Sequence, residues 1–331
     1  MRALVLLAVF TLLVGCGSKP APVPAAANLS AGGAGWLGIA TTTPYDFPDM
    51  IAGNAEPAEI LGKLLLPEGE VRGAAILSHG SGGIGGRQDR MAEALVEAGY
   101  AALILDHFTT RDIGSTVRDQ LRLTAQGMLA DVMAARRLLA SHPRIPADRI
   151  GVIGWSKGAI TATLGAVDRL AGYAAGGPDR LAFAIAFYPF CGFDLASEAL
   201  ATPVLMLLGE RDNWTPAAPC VALAEAWRAA DQPAEAVVFA GAEHGFDARS
   251  FFTFRIGRAI TVRDTSPRCL LTADAEGRTV TLDGGHRLDS LAGREAFLAD
   301  CGERGVRFGG DSAARRASYA RVFAFLDGLS R

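Results

Sequence analysis

A serine between two glycines is the clearest candidate for chemistry in this sequence. Residues 154–158 read Gly-Trp-Ser-Lys-Gly, directly after the apolar run 150–153 and before a helical stretch. In this G-x-S-x-G pattern the serine stands on a tight strand-to-helix turn, and the flanking glycines relieve contact with the neighbouring strand and helix. Ser156 is therefore predicted to be a nucleophile whose hydroxyl is exposed above the sheet.

A nucleophilic serine needs a base, and the base needs a residue that orients it. After the apolar run 204–208 comes Gly-Glu-Arg-Asp, which ends at Asp212, and a later strand is followed by Gly-Ala-Glu-His, which ends at His244. His244 can accept the serine proton, and Asp212 can hold the imidazole tautomer and stabilise the imidazolium. Glu210 is the alternative acid.

Backbone amides that could hold an oxyanion are predicted at two places. One is the amide of Lys157, and the other is that of Ser81 or Gly80 in the stretch His-Gly-Ser-Gly-Gly at 79–83. Glycines there let the backbone approach a ligand closely, and His79 is expected to order the loop. Four more side chains could line the pocket or serve only packing or a solvated strand end: Trp155, Trp214, Tyr188 and His107.

The elements that must position these residues follow from hydrophobic patterning. Apolar runs alternate with amphipathic stretches, which predicts an α/β fold with a mostly parallel central sheet and helices on both faces. Strands are predicted over 59–66, 73–78, 100–105, 149–153, 182–187, 204–208 and 236–239. Helices are predicted over 89–98, 116–141, 157–170, 217–231 and 312–329.

A C-terminal stretch at about 251–310 interrupts this alternation. It comes where a direct passage into the last helix would be expected, so it is interpreted as an insertion into a single domain over 36–331. Within it, residues 278–285 suggest a strand and turn, and residues 288–301 suggest a short helix.

Composition excludes several classes of protein. Half of the 331 residues are hydrophobic, and 32 basic against 35 acidic residues give a formal charge of −3 without any basic run. This balance argues against a disordered chain and against a nucleic-acid partner. No His, Cys and Asp cluster has metal-ligand spacing, so no metal is expected.

The N-terminal residues have the pattern of a targeting segment. Residues 1–15 contain Arg2 and an apolar stretch too short to span a bilayer, which predicts a signal peptide. The small residues before Cys16 resemble a bacterial lipobox, which implies a lipidated Cys16 as the mature N-terminus; an ordinary secretory signal is the alternative. Residues 17–35, rich in Pro, Ala and Gly, are predicted to be a flexible tether. The expected location is the bacterial cell envelope, anchored by lipid on the periplasmic side or the cell surface, or else soluble in the periplasm or secreted.

Four cysteines remain after Cys16, an even number in a chain predicted to reach an oxidising compartment. Two disulfides are therefore expected, and three pairings are formally open. The favoured pairing keeps each bridge within one region of the chain and joins Cys191 with Cys220 and Cys269 with Cys301. Four free buried thiols are the alternative.

Taken together, the front His79-Gly80 pair, the Gly-Trp-Ser-Lys-Gly turn and the Gly-Ala-Glu-His-Gly-Phe-Asp stretch at 241–247 resemble the dienelactone hydrolase family of α/β-hydrolases. The resemblance covers about 58–331, apart from the insertion. It implies an eight-stranded sheet, no cofactor, and cleavage of an ester or lactone through an acyl-enzyme. The namesake enzymes carry cysteine in a G-x-C-x-G-G turn, whereas this chain has Ser156 and Ala159, so a serine esterase of the broader family is expected.

The sequence thus predicts a carboxylic ester hydrolase that acts on a small ester or lactone through Ser156. Two alternatives stay open. One is a peptidase or acyltransferase that uses the same three residues, and the other is a catalytically silent lipoprotein that binds a small ligand in the cleft. The oligomeric state is not predicted.

Overall fold

An eight-stranded sheet forms the centre of the computed structural model, which describes residues 23–250 and 252–329. Its strands are β1 Gly35–Thr43, β2 Glu56–Leu65, β3 Ala74–Ser78, β4 Ala101–Asp106, β5 Ile150–Trp155, β6 Ala184–Phe187, β7 Val204–Gly209 and β8 Ala234–Phe239. Their spatial order is β1-β2-β4-β3-β5-β6-β7-β8. The pairs β1/β2 and β2/β4 are antiparallel and all others are parallel, so the predicted mostly parallel sheet of an α/β-hydrolase fold is confirmed.

Helices cover both faces of this sheet. They are α1 Phe47–Ala52, α2 Gly86–Glu97, α3 Ala125–Ala140, α4 Lys157–Ala166, α5 Asp168–Ala175, α6 Ala217–Ala229, α7 Leu291–Cys301 and α8 Ser312–Leu329. Because successive side chains of a strand point to opposite faces, β3 supplies Ala74 and Ile76 to one core and Ala75 and Leu77 to another. Helices α3, α4 and α6 close the first core, and α2 and α8 close the second. Burial on both faces explains why these strands are nearly continuous apolar runs.

Two predicted helices are wrong in their bounds. The helix predicted over 116–141 begins only at Ala125, because the Thr124 hydroxyl caps it there. The preceding stretch is a loop with one short 3₁₀ turn, and its Gln120 and Leu121 line a cavity that Ser156 also lines. The helix predicted over 157–170 is broken at Val167, whose extended backbone separates α4 from α5.

The start of the described chain also differs from expectation. Strand β1 and helix α1 were not predicted. The stretch 17–35, predicted to be a tether, lies partly within the described residues and contacts the body of the protein at Leu29. Leu29 is only 5% exposed, and its backbone N–H donates to the Ser141 hydroxyl at 2.7 Å. Leu29 therefore attaches this stretch to the body of the protein.

The predicted signal peptide and Cys16 lie outside the described residues. Within 23–250 and 252–329, no helix combines the length and the apolar character that crossing a bilayer requires.

The segment predicted as an insertion has its own small framework. Strands β9 Phe254–Val262 and β12 Gly302–Phe308 pair antiparallel, and β10 Leu271–Ala273 pairs with β11 Thr279–Thr281. The predicted strand near 278–285 corresponds to β11 and the predicted helix over 288–301 to α7, so both are confirmed with shorter bounds. Strands β9, β10 and β12 were not predicted, because β9 and β12 pair across some 40 residues of chain and local patterning does not show such a pairing.

Both disulfides join the predicted partners, Cys191 with Cys220 and Cys269 with Cys301. The second bridge lies in an apolar cluster of the insertion, whose buried members are Val262, Cys269, Leu271, Leu288, Phe297 and Cys301. Phe190 and Phe193, which follow β6, pack against this cluster. The insertion is therefore joined to the body by a shared apolar contact directly beside the candidate site.

Candidate active site

Ser156 stands on the turn between β5 and α4, with a backbone φ of +54° that non-glycine residues rarely adopt. A Cβ on Gly154 would lie 2.0 Å from the Gly158 carbonyl oxygen, and a Cβ on Gly158 would lie 2.1 Å from the Ser78 carbonyl oxygen. Neither position accepts a side chain without moving the backbone. The spacing of the two glycines thus has the steric reason that the sequence suggested.

His244 connects Ser156 with Asp212. Its Nε2 lies 3.0 Å from the Ser156 Oγ, and its Nδ1 lies 2.7 Å from Oδ2 of Asp212. The imidazole is 2% exposed and the aspartate 5% exposed, so bulk water competes little for either contact. With Nδ1–H donating to the carboxylate, Nε2 can accept the serine proton.

The two candidate acids are separated by the turn that follows β7. Oδ1 of Asp212 accepts the backbone N–H of Trp214 at 2.8 Å, which leaves Oδ2 for His244. Glu210 is exposed, and its Oε2 accepts the Gly241 N–H at 2.7 Å. The structure therefore brings Asp212 to the imidazole and engages Glu210 in the neighbouring turn.

Thr215 is a contact that the sequence did not reveal. Its Oγ1 lies 3.0 Å from Oδ2 of Asp212, 3.1 Å from Nδ1 of His244 and 3.0 Å from the Tyr188 carbonyl oxygen. A hydroxyl has one proton, so it donates to one of these partners at a time. The position of Thr215 three residues after Asp212, in the same turn, was the only feature of the sequence that could have indicated this contact.

The glycine-rich loop after β3 comes close to the nucleophile. A Cβ on Gly80 would lie 2.9 Å from the Trp155 carbonyl oxygen and 3.1 Å from the Cβ of Ser156. Ser81 is buried, and its carbonyl oxygen accepts the Thr116 N–H at 2.8 Å. The loop backbone is thus held next to Ser156, as an amide donor to an oxyanion would have to be.

Lys157, whose amide is the other predicted donor, begins helix α4 and buries its side chain. Its Nζ donates to the Gln120 carbonyl oxygen at 2.7 Å. Lys157 as a whole is only 6% exposed. Burial, together with the charge of Arg294, lowers the pKa of Lys157 to about 7. Helix α4 begins directly after Ser156, so its positive N-terminal end lies at the nucleophile. The ammonium group of Lys157 lies in the wall of the site.

Two cavities meet at Ser156. The apolar pocket, of about 170 Å³, is walled by Ile160, Phe190, Val262, Leu271, Leu288 and Phe297. The His244 pocket, of about 300 Å³, is walled by Gly80, Arg87, Trp155, Tyr188, His244 and Ile256. Among the predicted pocket residues, Trp214 lines both cavities, whereas Trp155 and Tyr188 line only the second.

A buried carboxylate fixes these aromatic side chains. Oδ2 of Asp247 accepts the Trp155 Nε1–H at 2.9 Å, and Oδ1 accepts the Tyr188 hydroxyl at 2.7 Å and Nη1 of Arg87 at 3.3 Å. Burial raises the pKa of Tyr188 well above its usual value, so its hydroxyl stays protonated. Asp247 follows His244 by three residues, and its position in that motif was the only sequence signal for this role.

The prediction that His107 could line the pocket is wrong. The imidazole is fully buried and lines neither cavity at Ser156, with Nε2 2.9 Å from the Ser78 hydroxyl and Nδ1 2.8 Å from Oδ2 of Asp131. Arg111 also donates to that carboxylate, at 2.8 Å, and the hydrogen bonds from His107 and Arg111 outweigh burial and lower the pKa of Asp131. The only carboxylate in helix α3, which stands in the mainly apolar stretch 128–135, was the missed signal. In the part of the chain that the structure describes, no group of three His, Cys, Asp or Glu side chains is arranged to hold a metal ion.

His79 is expected to make stability depend on pH. Burial of the ring, together with the neighbouring His107, lowers its pKa to about 3, and the hydrogen bond of Nδ1 to the Gly80 carbonyl oxygen at 2.8 Å opposes this shift only in part. The backbone N–H of His107, 3.2 Å from Nε2, donates to the neutral imidazole. Below about pH 6.5 the unfolded chain binds a proton that the folded chain does not, so stability is full above that pH and falls toward pH 3. We expect His79→Gln to reduce the slope of unfolding free energy against pH by up to about 1.4 kcal/mol per unit.

Denaturant titrations of the wild type and this variant between pH 5 and 8 measure that slope. The comparison of slopes cancels any loss of stability that does not depend on pH. Equal slopes below pH 6.5 would contradict the buried neutral imidazole.

Comparison with known proteins gives one family assignment. The sequence model of the dienelactone hydrolase family matches residues 62–252, more than half of the chain. No curated protein matches the chain in sequence.

Similar solved structures include a thermophilic esterase from Thermogutta terrifontis with bound propionate. Its sequence is 21% identical, the match covers 57% of this chain and 81% of that chain, and the TM-score is 0.46. Another is a protein from Klebsiella pneumoniae subsp. pneumoniae assigned as a dienelactone hydrolase, at 23% identity, 64% and 89% coverage and a TM-score of 0.48. On the match of its sequence to the family model, the chain belongs to the dienelactone hydrolase family.

Proposed function

We propose that this protein is a serine hydrolase that cleaves a carboxylic ester or lactone through an acyl-enzyme on Ser156. The observation that carries the proposal is the unbroken hydrogen-bond path from the Ser156 hydroxyl through His244 to Asp212, at 3.0 Å and 2.7 Å. Family membership supports the ester as the substrate class. The two cavities that meet at the serine supply room for the two sides of a scissile bond.

In the first half of the reaction, the Ser156 oxygen attacks the acyl carbonyl carbon while Nε2 of His244 takes its proton. The carbonyl oxygen becomes an oxyanion, which the backbone amides of Lys157 and Ser81 stabilise. Asp212 stabilises the imidazolium that forms. The tetrahedral species then breaks the bond to the alcohol oxygen, which leaves with the proton from Nε2.

In the second half, water replaces the alcohol. His244 takes a proton from the water as the oxygen attacks the acyl carbon, and the Ser156 oxygen leaves with that proton. The products are the free acid and the regenerated serine. A lactone follows the same steps, except that its alcohol remains joined to the acyl group and only one product leaves.

We infer the cellular location of the protein from its N-terminal segment and its disulfides. The signal-like segment 1–15 and Cys16 suggest a lipid anchor in a bacterial envelope. Two disulfides in the described chain support an oxidising compartment, because such bridges are rare in the reducing cytosol. Metabolic labelling of expressing cells with a fatty-acid analogue tests this location, since Cys16→Ser should abolish labelling. Unaltered labelling in that variant contradicts the anchor.

Labelling with a fluorophosphonate tests the proposed chemistry. The reagent is added to the purified full chain, and the labelled peptide is mapped by mass spectrometry. A single adduct on Ser156 that disappears in His244→Ala is expected, because the imidazole is the base that activates the hydroxyl. A folded wild-type protein that forms no adduct would contradict the serine mechanism and favour a binding protein. Turnover of an amide as fast as its matched ester would favour a peptidase.

A further inference from the structure

The two cavities at Ser156 differ in one respect that bears on the proposed reaction, on which this inference rests. His244 lines the His244 pocket but is not part of the wall of the apolar pocket. The alcohol oxygen must lie within hydrogen-bond reach of Nε2 when it leaves. The alcohol side of the substrate therefore belongs in the His244 pocket, and the acyl side belongs in the apolar pocket.

The two charged side chains in the wall of the apolar pocket, Lys157 and Arg294, each donate to a backbone carbonyl oxygen, and among the described residues the buried Nε of Arg294 has no hydrogen-bond partner. Nζ of Lys157 donates to the Gln120 carbonyl oxygen at 2.7 Å. The guanidinium of Arg294 donates to the Tyr45 carbonyl oxygen at 3.1 Å, lies 4.7 Å above the Tyr45 ring and is 3.9 Å from Oδ1 of Asp46. Most of the remaining wall is aliphatic or aromatic, so the surface offered to an acyl group is mainly apolar.

Much of this wall belongs to the insertion, and it is attached firmly to the body. Trp214, which separates the two cavities, donates its Nε1–H to the Ile260 carbonyl oxygen at 3.0 Å and accepts the Thr261 hydroxyl on its own carbonyl oxygen. On the other side, Asp46 accepts the backbone N–H and the hydroxyl of Thr279 at 2.7 Å and 2.6 Å. The part of the wall that the insertion contributes to the apolar pocket is thus held in place from two sides. It can therefore limit the size of the acyl group that enters.

Strand β9 passes over both cavities and presents the same residue type to each. Ile260 lines the apolar pocket, and Ile256 lines the His244 pocket. Both side chains are partly buried, and the pairing of β9 with β12 is irregular between them. The two isoleucines therefore form a matched pair on either side of the nucleophile.

We propose that the insertion selects esters of apolar acyl chains, with Ile260 limiting the length of the acyl chain and Ile256 limiting the size of the alcohol. Each methylene that enters the apolar pocket loses its contact with water and gains contact with the wall. That transfer is worth about fourfold in kcat/KM per methylene until the pocket is full. A charged chain end gains no such benefit, because it would lose its hydration there.

The test uses the purified full chain and two series of substrates. The first consists of 4-nitrophenyl esters from acetate to octanoate, and the second consists of butanoate esters of alcohols from methanol to hexanol. Wild type, Ile260→Phe and Ile256→Phe are compared in both series. Because the two variants carry the same change on one strand, a general effect on folding should be similar in both, and thermal unfolding measures it.

We expect each variant to change the rates in one substrate series and not in the other. Ile260→Phe should lower the kcat/KM ratio of hexanoate to butanoate at least tenfold and leave the alcohol series within about twofold of its wild-type profile. Ile256→Phe should do the reverse. Esters of a dicarboxylic acid, with a free carboxylate at the chain end, should react more slowly than the methyl-ended esters of equal length.

Three results would overturn the inference. A flat acyl series in the wild type would show that the apolar pocket does not receive the acyl group. Exchanged effects of the two variants would reverse the assignment of the pockets. Faster turnover of the carboxylate-ended ester would show that Lys157 and Arg294 recruit an anion. These three leave the serine mechanism intact when Ser156 is labelled, whereas a wild type that hydrolyses no ester and forms no adduct overturns both proposals.

Discussion

Replacing Ser156 with alanine is expected to lower kcat for ester hydrolysis by roughly 10³-fold or more, with a much smaller change in KM. The hydroxyl lies 3.0 Å from Nε2 of His244, and without it no acyl-enzyme can form. The side chain is small and only partly buried, so the variant should fold normally. Steady-state kinetics on a short-chain ester, together with thermal unfolding, measure the two effects separately.

Ser81→Ala is the matched comparison for this experiment. Ser81 lines the same two cavities as Ser156, but the group proposed to act is its backbone N–H, which alanine retains. Its hydroxyl donates to Oε1 of Gln120 at 3.0 Å, so its loss removes one contact of the loop. We expect a cost of less than about tenfold, in the range of one hydrogen bond. Turnover by Ser156→Ala at the wild-type rate would refute the assignment of the nucleophile.

Replacing Asp212 with asparagine is expected to lower kcat by roughly 10⁴-fold. The carboxylate accepts the Nδ1–H of His244 at 2.7 Å, which keeps Nε2 free to take the serine proton. An asparagine can present its amide N–H to Nδ1 and so favours the wrong tautomer. Because Oδ1 also accepts backbone N–H groups of the turn, asparagine preserves the shape of the loop better than alanine would.

Glu210→Gln provides the control for the acid. Glu210 is two residues away and of the same charge, but it binds the Gly241 N–H and is exposed. A glutamine can keep that hydrogen bond through its amide oxygen, so a change of less than about threefold is expected, in line with a surface substitution. Measured kcat values for both variants on one ester decide between the two acids. A larger loss in Glu210→Gln than in Asp212→Asn would make Glu210 the acid.

The central strands of the main sheet, β3 to β7, could be predicted because each is a short apolar run buried on both faces. Strand β3 supplies adjacent residues to opposite cores, so nearly every position in it is apolar and the pattern is unmistakable. Strand β1 lies at the sheet edge, contains Gly, Thr and Ala, and alternates between exposed and buried positions, so its pattern is weak. The sequence therefore showed the interior of the sheet and its β8 edge but missed the β1 edge.

The insertion was recognised only by the loss of the α/β alternation. Its strands β9 and β12 are partly exposed and far apart in the chain, and pairing between them depends on contacts that no local window contains. The residues that this segment contributes to the apolar pocket, such as Leu288 and Phe297, read in the sequence as ordinary helix and loop positions. Their role follows only from where the Cys269 and Cys301 cluster packs against Phe190 and Phe193.

The residue types of the site and their order along the chain could be read from local sequence: a serine between glycines, then an acid, then a histidine, each after a strand. That was possible because a strand-to-loop turn is encoded by neighbouring residues, and parallel strands bring their ends to one edge. The folded chain was needed to show that Asp212 rather than Glu210 reaches His244, that His107 is buried beside Asp131, and that two cavities of different character meet at Ser156. These properties depend on the direction of individual side chains and on packing between distant segments, and neither is written in the local pattern of residues.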